Sequence, residues 1–211
     1  TPQQLKGKSL GISRIGSSSD VAARIFLKNF GLEPDKDVAI IQVGGSSERS
    51  AAFRAGKIAG FAAPPGVLYL TKGLAQRVLA STADFQKNYP FPYICGTTTK
   101  SYLANNRPIV KRLVMGLTDG VRFFKTQKEE SKKILAKYTR QNNEAYLEAA
   151  YEINAKLMDR VPYVTREGME IQVKDAVARK PGAVLKVDDV IDDSIVAELE
   201  KEGFIDKLYK Q

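Results

Sequence analysis

Histidine is absent from the 211-residue chain, and cysteine occurs once, at Cys95. Without histidine there is no Ser-His or Cys-His nucleophile pair, no imidazole-bound zinc and none of the commonest general base. One thiol makes neither an intrachain disulfide nor a thiolate metal cluster. Cys95, between Ile94 and Gly96, reads as a small buried residue rather than a nucleophile. Also missing is any run of about 20 apolar residues, the length of a membrane helix, or a charged-then-apolar secretory leader. Because the chain opens at Thr1 rather than Met, it is expected to be a processed or truncated product.

Charge is not missing, but a concentrated basic patch is. The 33 Lys and Arg residues against 24 Asp and Glu give +9, yet acids are interspersed throughout, as in residues 125–137. A basic run interleaved with aromatics does not occur, so no nucleic-acid partner is expected. The acids Asp188, Asp189, Asp192 and Asp193 lack the glycine and the bidentate glutamate of a calcium loop. They read as a solvated helix start, and neither metal nor cofactor is expected.

What is present is a core-forming composition, 43% hydrophobic with 9% aromatic, organised around Ser-Leu-Gly-Ile-Ser-Arg-Ile-Gly-Ser-Ser-Ser-Asp at residues 9–20. This reads as strand, Gly-Ser turn, then a helix from about Val21, after an exposed lead-in at residues 1–8. Ala22, Ile25, Phe26 and Phe30 form its apolar face, Gly31 is placed as the helix-ending glycine, and Pro34 blocks continuation. Residues 38–43 suit a buried parallel strand. Gly44-Gly45-Ser46-Ser47 then leads into a helix over about 48–55, with Ser46 or Ser47 as N-cap and Gly56 as its end. Glu48 and Arg49 read as a helix-end acid and its exposed neighbour. A third repeat runs from a strand at 58–63 through Pro64-Pro65-Gly66 into the apolar run 67–70.

Strand, small-residue loop and helix in threefold succession imply βαβ units on a parallel sheet, with every helix N-terminus at one sheet edge. Amides and hydroxyls of Gly16, Ser17, Ser18, Ser19, Gly44, Gly45, Ser46 and Ser47 then converge there, and Arg14, placed on the strand before the first loop, is a candidate anion partner. Asp20 is placed as a helix cap or a ligand-facing residue. Neither a Walker-type phosphate loop nor a Gly-x-Gly-x-x-Gly turn follows the first strand, so nucleotide phosphates are poor candidates. A short strand at 78–80 and an extended segment at 93–99 come next. Helices are then expected over 108–125, 128–138, 144–158, 165–178, 194–202 and 205–209, with Tyr138, Tyr146 and Tyr151 spaced for helix packing.

The passages Leu-Lys-Gly-Lys-Ser-Leu-Gly-Ile-Ser-Arg-Ile-Gly-Ser-Ser-Ser-Asp, Val-Gly-Gly-Ser-Ser-Glu-Arg with Phe-Arg-Ala-Gly-Lys-Ile, Ala-Ala-Pro-Pro, Arg-Val-Leu-Ala, Phe-Phe-Lys-Thr and Leu-Glu-Lys-Glu-Gly-Phe-Ile-Asp-Lys-Leu-Tyr follow one another along nearly the whole chain. In that order they resemble the substrate-binding proteins of ABC transporters in the sulfonate, taurine, nitrate and thiamine-precursor group. The resemblance implies an α/β fold, periplasmic-binding-protein-like of type II. Residues 1–92 would form one complete βαβ ligand-binding lobe, and residues 93–211 the hinge return and the helical C-terminal part of the second lobe. An N-terminal part of that second lobe, about 90 to 100 residues, has no counterpart in the sequence, so the helices after Lys100 are expected to expose apolar faces. The ligand-facing residues would be Gly16 to Asp20, Gly44 to Ser47, and Ala63, Pro64 and Pro65. A non-enzymatic, periplasmic or cell-surface receptor is implied, capturing a small anionic or zwitterionic molecule between its lobes and passing it to ABC permease subunits. Two other readings stay open: a LysR-type effector domain, and a thiamine-pyrimidine-synthase-like enzyme, whose internal histidine this chain does not have.

Overall fold

The computed structural model describes residues 1–63, 66–81, 94–180 and 182–210. The chain divides into two compact units, Thr1–Ser81 with Leu135–Ile153, and the described part of Thr82–Ile134 with Asn154–Gln211.

The first unit is built on a parallel sheet in the order β2-β1-β3. Its strands are β1 (Ser9–Ile12), β2 (Ala39–Gln42) and β3 (Gly60–Phe61). Ser9 to Ile12 pair with Ala39 to Gln42, and Leu10 and Gly11 pair with Gly60 and Phe61. Helix α1 (Ser18–Asn29) follows β1, α2 (Ser46–Arg54) follows β2, and a 3-10 turn at Val67–Thr71 follows β3. The expected succession is therefore present, and parallel pairing puts all three connecting loops at the carboxyl edge of the sheet.

Both glycine stops on the helices are confirmed. Gly31 has φ +67° and donates to the Lys28 carbonyl at 3.0 Å, and Leu32 closes back on Leu27 at 2.9 Å. Gly56, also at φ +67°, repeats this with Phe53 at 3.0 Å, while Lys57 reaches Ala52 at 2.9 Å. In each case the glycine takes the left-handed conformation that a Cβ disfavours, and orphan carbonyls gain donors.

Several expectations are corrected. Helix α1 starts at Ser18, three residues early, because Ser17 already caps it. Its fully buried apolar residues are Ala23 and Leu27; of the expected face Phe26 packs on the same core, Ile25 and Phe30 are half-buried and only Ala22 is exposed, since the helix turns its 20-23-27 row to the sheet. The lead-in is not simply exposed, because a 3-10 turn at Pro2–Leu5 puts Leu5 in the core with Leu10, Ile12, Ala23, Leu27, Leu32 and Val38. Among the described residues β2 is an edge strand, and its apolar run leaves Ile41 exposed. The third strand shrinks to two residues, and residues 78–80 form no strand, though Leu79 still packs on the core; residues 94–99 are irregular chain outside any helix or strand, and Tyr93 lies outside the described residues. Cys95 is exposed rather than buried, and neighbouring atoms desolvate its thiol and push its pKa up.

From further along the chain, α4 (Lys128–Thr139) and α5 (Glu144–Leu157) lend residues 135–153 to the first unit. There Leu147, Ala150 and Tyr151 are buried.

The second unit is helical. Helix α3 (Lys100–Thr126) is longer than expected, because two helices meet at Asn106, whose φ of −132° breaks the helix just before Pro108. Residues 108–125 are the part after the break. Proline's missing N–H makes it tolerable there. Helices α6 (Arg166–Arg179), α7 (Ser194–Lys201) and α8 (Phe204–Leu208) match the remaining expectations within two residues. Helices α7 and α8 bury Ile195, Val196, Leu199, Ile205 and Leu208 and pack on α3. On the outer side of α3, Ile109, Leu113 and Leu117 are 48%, 60% and 54% exposed, the apolar exposure expected after Lys100. None of the described helices is long and apolar enough to cross a membrane.

Candidate functional site

Three loops meet the carboxyl edge of the sheet in the first unit, and charged side chains lie beneath them. The first loop, residues 13–17, leaves the sheet at once, so Arg14 sits in the loop and not on the strand, exposed with Ile15 and Gly16. Gly16 takes φ +78° and donates its N–H to Asp20 Oδ2 at 2.8 Å. The Asp20 carboxylate is fully buried and receives Arg24 Nε at 2.8 Å, and Arg24 reaches Asp35 at 2.6 Å. Burial pulls the Arg24 pKa down, but the bonds to Asp35 and Asp20 outweigh it and leave it raised. Asp20 thus faces inward and fixes the loop from below.

The three hydroxyls of Ser13, Ser17 and Ser19 close a triangle with edges of 2.9, 3.0 and 2.9 Å. Ser19 Oγ also accepts the Ser13 N–H at 2.9 Å, and Ser17 Oγ accepts the Asp20 N–H at 3.4 Å. The triangle spends its hydroxyl protons internally. What the α1 start still offers are the Ser18 and Ser19 N–H groups, which have no acceptor among the described residues. They stand at the positive end of a 12-residue helix.

The second loop continues β2. Val43 and Gly44 both donate to the Ile12 carbonyl, at 2.9 and 3.3 Å, tying this loop to the first. Gly44 has φ +121°, and Gly45, not Ser46 or Ser47, is the N-cap of α2. Ser46 O accepts from Ser50 Oγ at 2.7 Å, and Ser47 is exposed. Glu48 is exposed too, its carboxylate folded against Gly45, where a Cβ would lie 2.9 Å from Oε2.

Arg49 is the largest correction. Instead of an exposed neighbour it is 4% exposed. Nε donates to Gly44 O at 3.1 Å and Gly45 O at 3.2 Å, Nη2 to Ser46 Oγ at 3.4 Å, and Nη1 to Ala62 O on the third loop. The guanidinium lies 5.7 Å from the Phe61 ring centroid. On that third loop Ala63 is exposed, and Pro64 and Pro65 lie outside the described residues. Gly66, at φ +90°, faces Tyr146 of α5, whose ring a Cβ would meet at 3.1 Å.

The structure therefore brings Gly16, Ser17, Ser18, Ser19, Gly44, Gly45, Ser46, Ser47 and Ala63 to one edge. It turns Asp20 under that edge and leaves Arg14 at an exposed tip. Sequence reasoning missed Ser13, Arg49 and Tyr146. Ser13 and Ser17 sit four apart, and an arginine in the first turn of a helix after Gly-Gly can fold back on the loop carbonyls; these signals were in the chain. Nothing in the sequence joined Tyr146 to Gly66. No group of carboxylates and thiols fit to hold a metal occurs among the described residues. Asp188 and Asp189 pair with Arg166 and Lys100, Asp192 accepts from Ser194, and Asp193 caps Val164 N–H.

Comparison with known proteins gives three findings. The model of the NMT1-like family matches residues 1–139. A solved structure of a protein from Bordetella bronchiseptica RB50 is similar in fold, with a TM-score of 0.74 and 19% sequence identity. The alignment covers 96% of this chain but 66% of that one, so the chain spans about two thirds of its length. A search of curated proteins finds no match.

Proposed function

The chain belongs to the NMT1-like family, and from that premise we propose that it is a solute-binding receptor of an ABC importer. It captures a small anionic or zwitterionic organic molecule at the loop edge of the first unit and delivers it to membrane permease subunits, working in the periplasm or at the cell surface.

The observation that carries this reading is the set of donors at that edge. Ser18 and Ser19 present N–H groups with no acceptor among the described residues, at the start of α1. The glycine-serine loop after β2 and the loop that begins at Ala62 after β3 flank it on either side. Amide donors at a helix start hold an oxyanion without reacting with it. A chain without histidine, offering amides and hydroxyls, is suited to binding rather than turnover.

Thermal shift of the full chain against small sulfonates, carboxylates, nitrate, and pyrimidine or thiamine precursors tests the proposal. A ligand at 100 times its Kd adds about 2.7 kcal/mol, which raises Tm by several degrees at this size. The half-buried rim residue Ser18 supplies the control: S18F is expected to abolish the shift while leaving the ligand-free Tm nearly unchanged. Unaltered affinity in S18F would remove the site from the loop edge.

A further inference from the structure

We propose that Arg49 is the positioning residue of this site, turning the amides of the second and third loops toward a shared oxyanion; the inference rests on reading the loop edge as a ligand site. A trans peptide unit is planar, so its C=O and the following N–H point in opposite directions. Arg49 gathers the carbonyls of Gly44, Gly45 and Ala62 to one side. The N–H groups of Gly45, Ser46 and Ala63 are thereby turned to the other. Those N–H groups, like those of Ser18 and Ser19, have no acceptor among the described residues. The Arg49 backbone N–H also donates to Gly45 O at 3.0 Å, so the start of α2 shares in setting the Ser46 N–H, while the buried guanidinium holds the peptides that carry the Gly45 and Ala63 N–H groups, on two loops that are not adjacent in the sheet.

The sheet is built to let that cation through. Strand β1 lies between β2 and β3, so a side chain reaching from the second loop to the third must cross β1. It does so over Gly11, where a Cβ would stand 3.6 Å from Arg49 Cγ, 3.3 Å from Val43 Cγ2 and 2.7 Å from Ile58 Cδ1. Gly11 leaves the space through which the arginine stem passes. Phe61, stacked edge-on against Phe53 with centroids 5.7 Å apart, lies beside the guanidinium. Burying a cation is costly, and an aliphatic residue would fill the volume with less penalty. Lysine would keep the charge but not the fork that reaches four acceptors.

The ligand class follows. Donors without acceptors, set by a buried positive charge and added to the N-terminus of α1, suit a compact oxyanion such as a sulfonate or carboxylate. Glu48, folded against Gly45, is the carboxylate that such a ligand would have to push aside.

Calorimetry of the full chain with methanesulfonate, acetate and nitrate, in the wild type, R49K and R49M, tests this. Both variants are expected to lose at least tenfold in anion affinity with ligand-free Tm changed by only a few degrees. R49K binding within twofold of the wild type would overturn the positioning role. Wild type that binds none of the three anions would overturn the oxyanion assignment, and two ligand-independent readings then still decide on Arg49. In R49K the heteronuclear NOE of Gly45, Ser46 and Ala63 should fall while Leu10 to Ile12 keep theirs; unchanged values would sink the proposal. In the wild type, Arg49 should give separate, slowly exchanging guanidinium proton signals. A single averaged signal, as for a freely rotating arginine, would contradict it without any variant needing to fold.

Discussion

At the residue scale, the buried charged side chains of the first unit act beneath the loops. Asp20 and Arg49 are both buried, and each ends on backbone groups of the turn that precedes its helix. A carboxylate collects N–H groups and a guanidinium collects carbonyls, so the two fix opposite sides of the loop peptides. Gly11 is the residue on which this depends without itself making a polar contact. G11A is expected to destabilise the chain by about 1–3 kcal/mol, the usual range for overpacking, read from a urea transition. The neighbour nearest the new methyl is the end of the Ile58 side chain, at 2.7 Å. A variant as stable as the wild type would show that Ile58 and Val43 can give way together.

At the scale of the element, helix ends were legible and helix faces less so. Glycine at 31 and 56 announces a left-handed stop through a local steric rule, and both occur where expected. A Cβ at either position would meet nothing within 4 Å. Alanine there should therefore cost only the left-handed conformation, about 1–2 kcal/mol each, and the two costs should add in G31A/G56A because the sites are separate. Urea midpoints check both statements. The N-caps were less legible because serine, glycine and aspartate all serve there. In α1 the cap fell to Ser17 and in α2 to Gly45. The exposure of β2 was not readable at all, since an apolar run looks the same whether or not something covers it.

At the scale of the whole molecule, the charge network of the second unit makes stability depend on pH. Glu198 accepts from Arg107 at 2.8 Å and from Lys111 at 2.7 Å, and Lys111 also reaches Glu202 at 2.7 Å. The Lys111 and Arg107 bonds hold the Glu198 carboxyl below its ordinary value. A carboxylate depressed in the folded state favours folding when ionised, so this contribution is present at neutral pH. It is lost on acidification through the carboxylate range, below about pH 4. Lys111 is raised by the bonds to Glu198 and Glu202, so its share is lost at the other end, as pH rises past the ordinary lysine value. In E198Q the fall of Tm between pH 6 and pH 3 should be shallower than in the wild type. Parallel curves would assign the acid response to other carboxylates. Asp189 and Asp192 are depressed as well, by the Lys186 N–H and by Ser194, so some acid sensitivity should survive in E198Q.

The sequence by itself determined the succession of strand, small-residue loop and helix, the parallel sheet, the glycine stops and the later helices. These follow from short-range rules: the apolar period, the left-handed freedom of glycine and the missing N–H of proline. It also carried the family, through the order of motifs along nearly the whole chain, and the family model matches residues 1–139. Only the tertiary structure decided which side of each loop faces inward. That is a question of which distant carbonyl a side chain can reach: Arg49 meets Ala62 because β1 presents a glycine between them, and Tyr146 meets Gly66 because α5 returns to the first unit. A linear pattern records residue types at each position. Where a buried charge finds its acceptors depends on chain segments far apart in sequence, and only their packing brings them together.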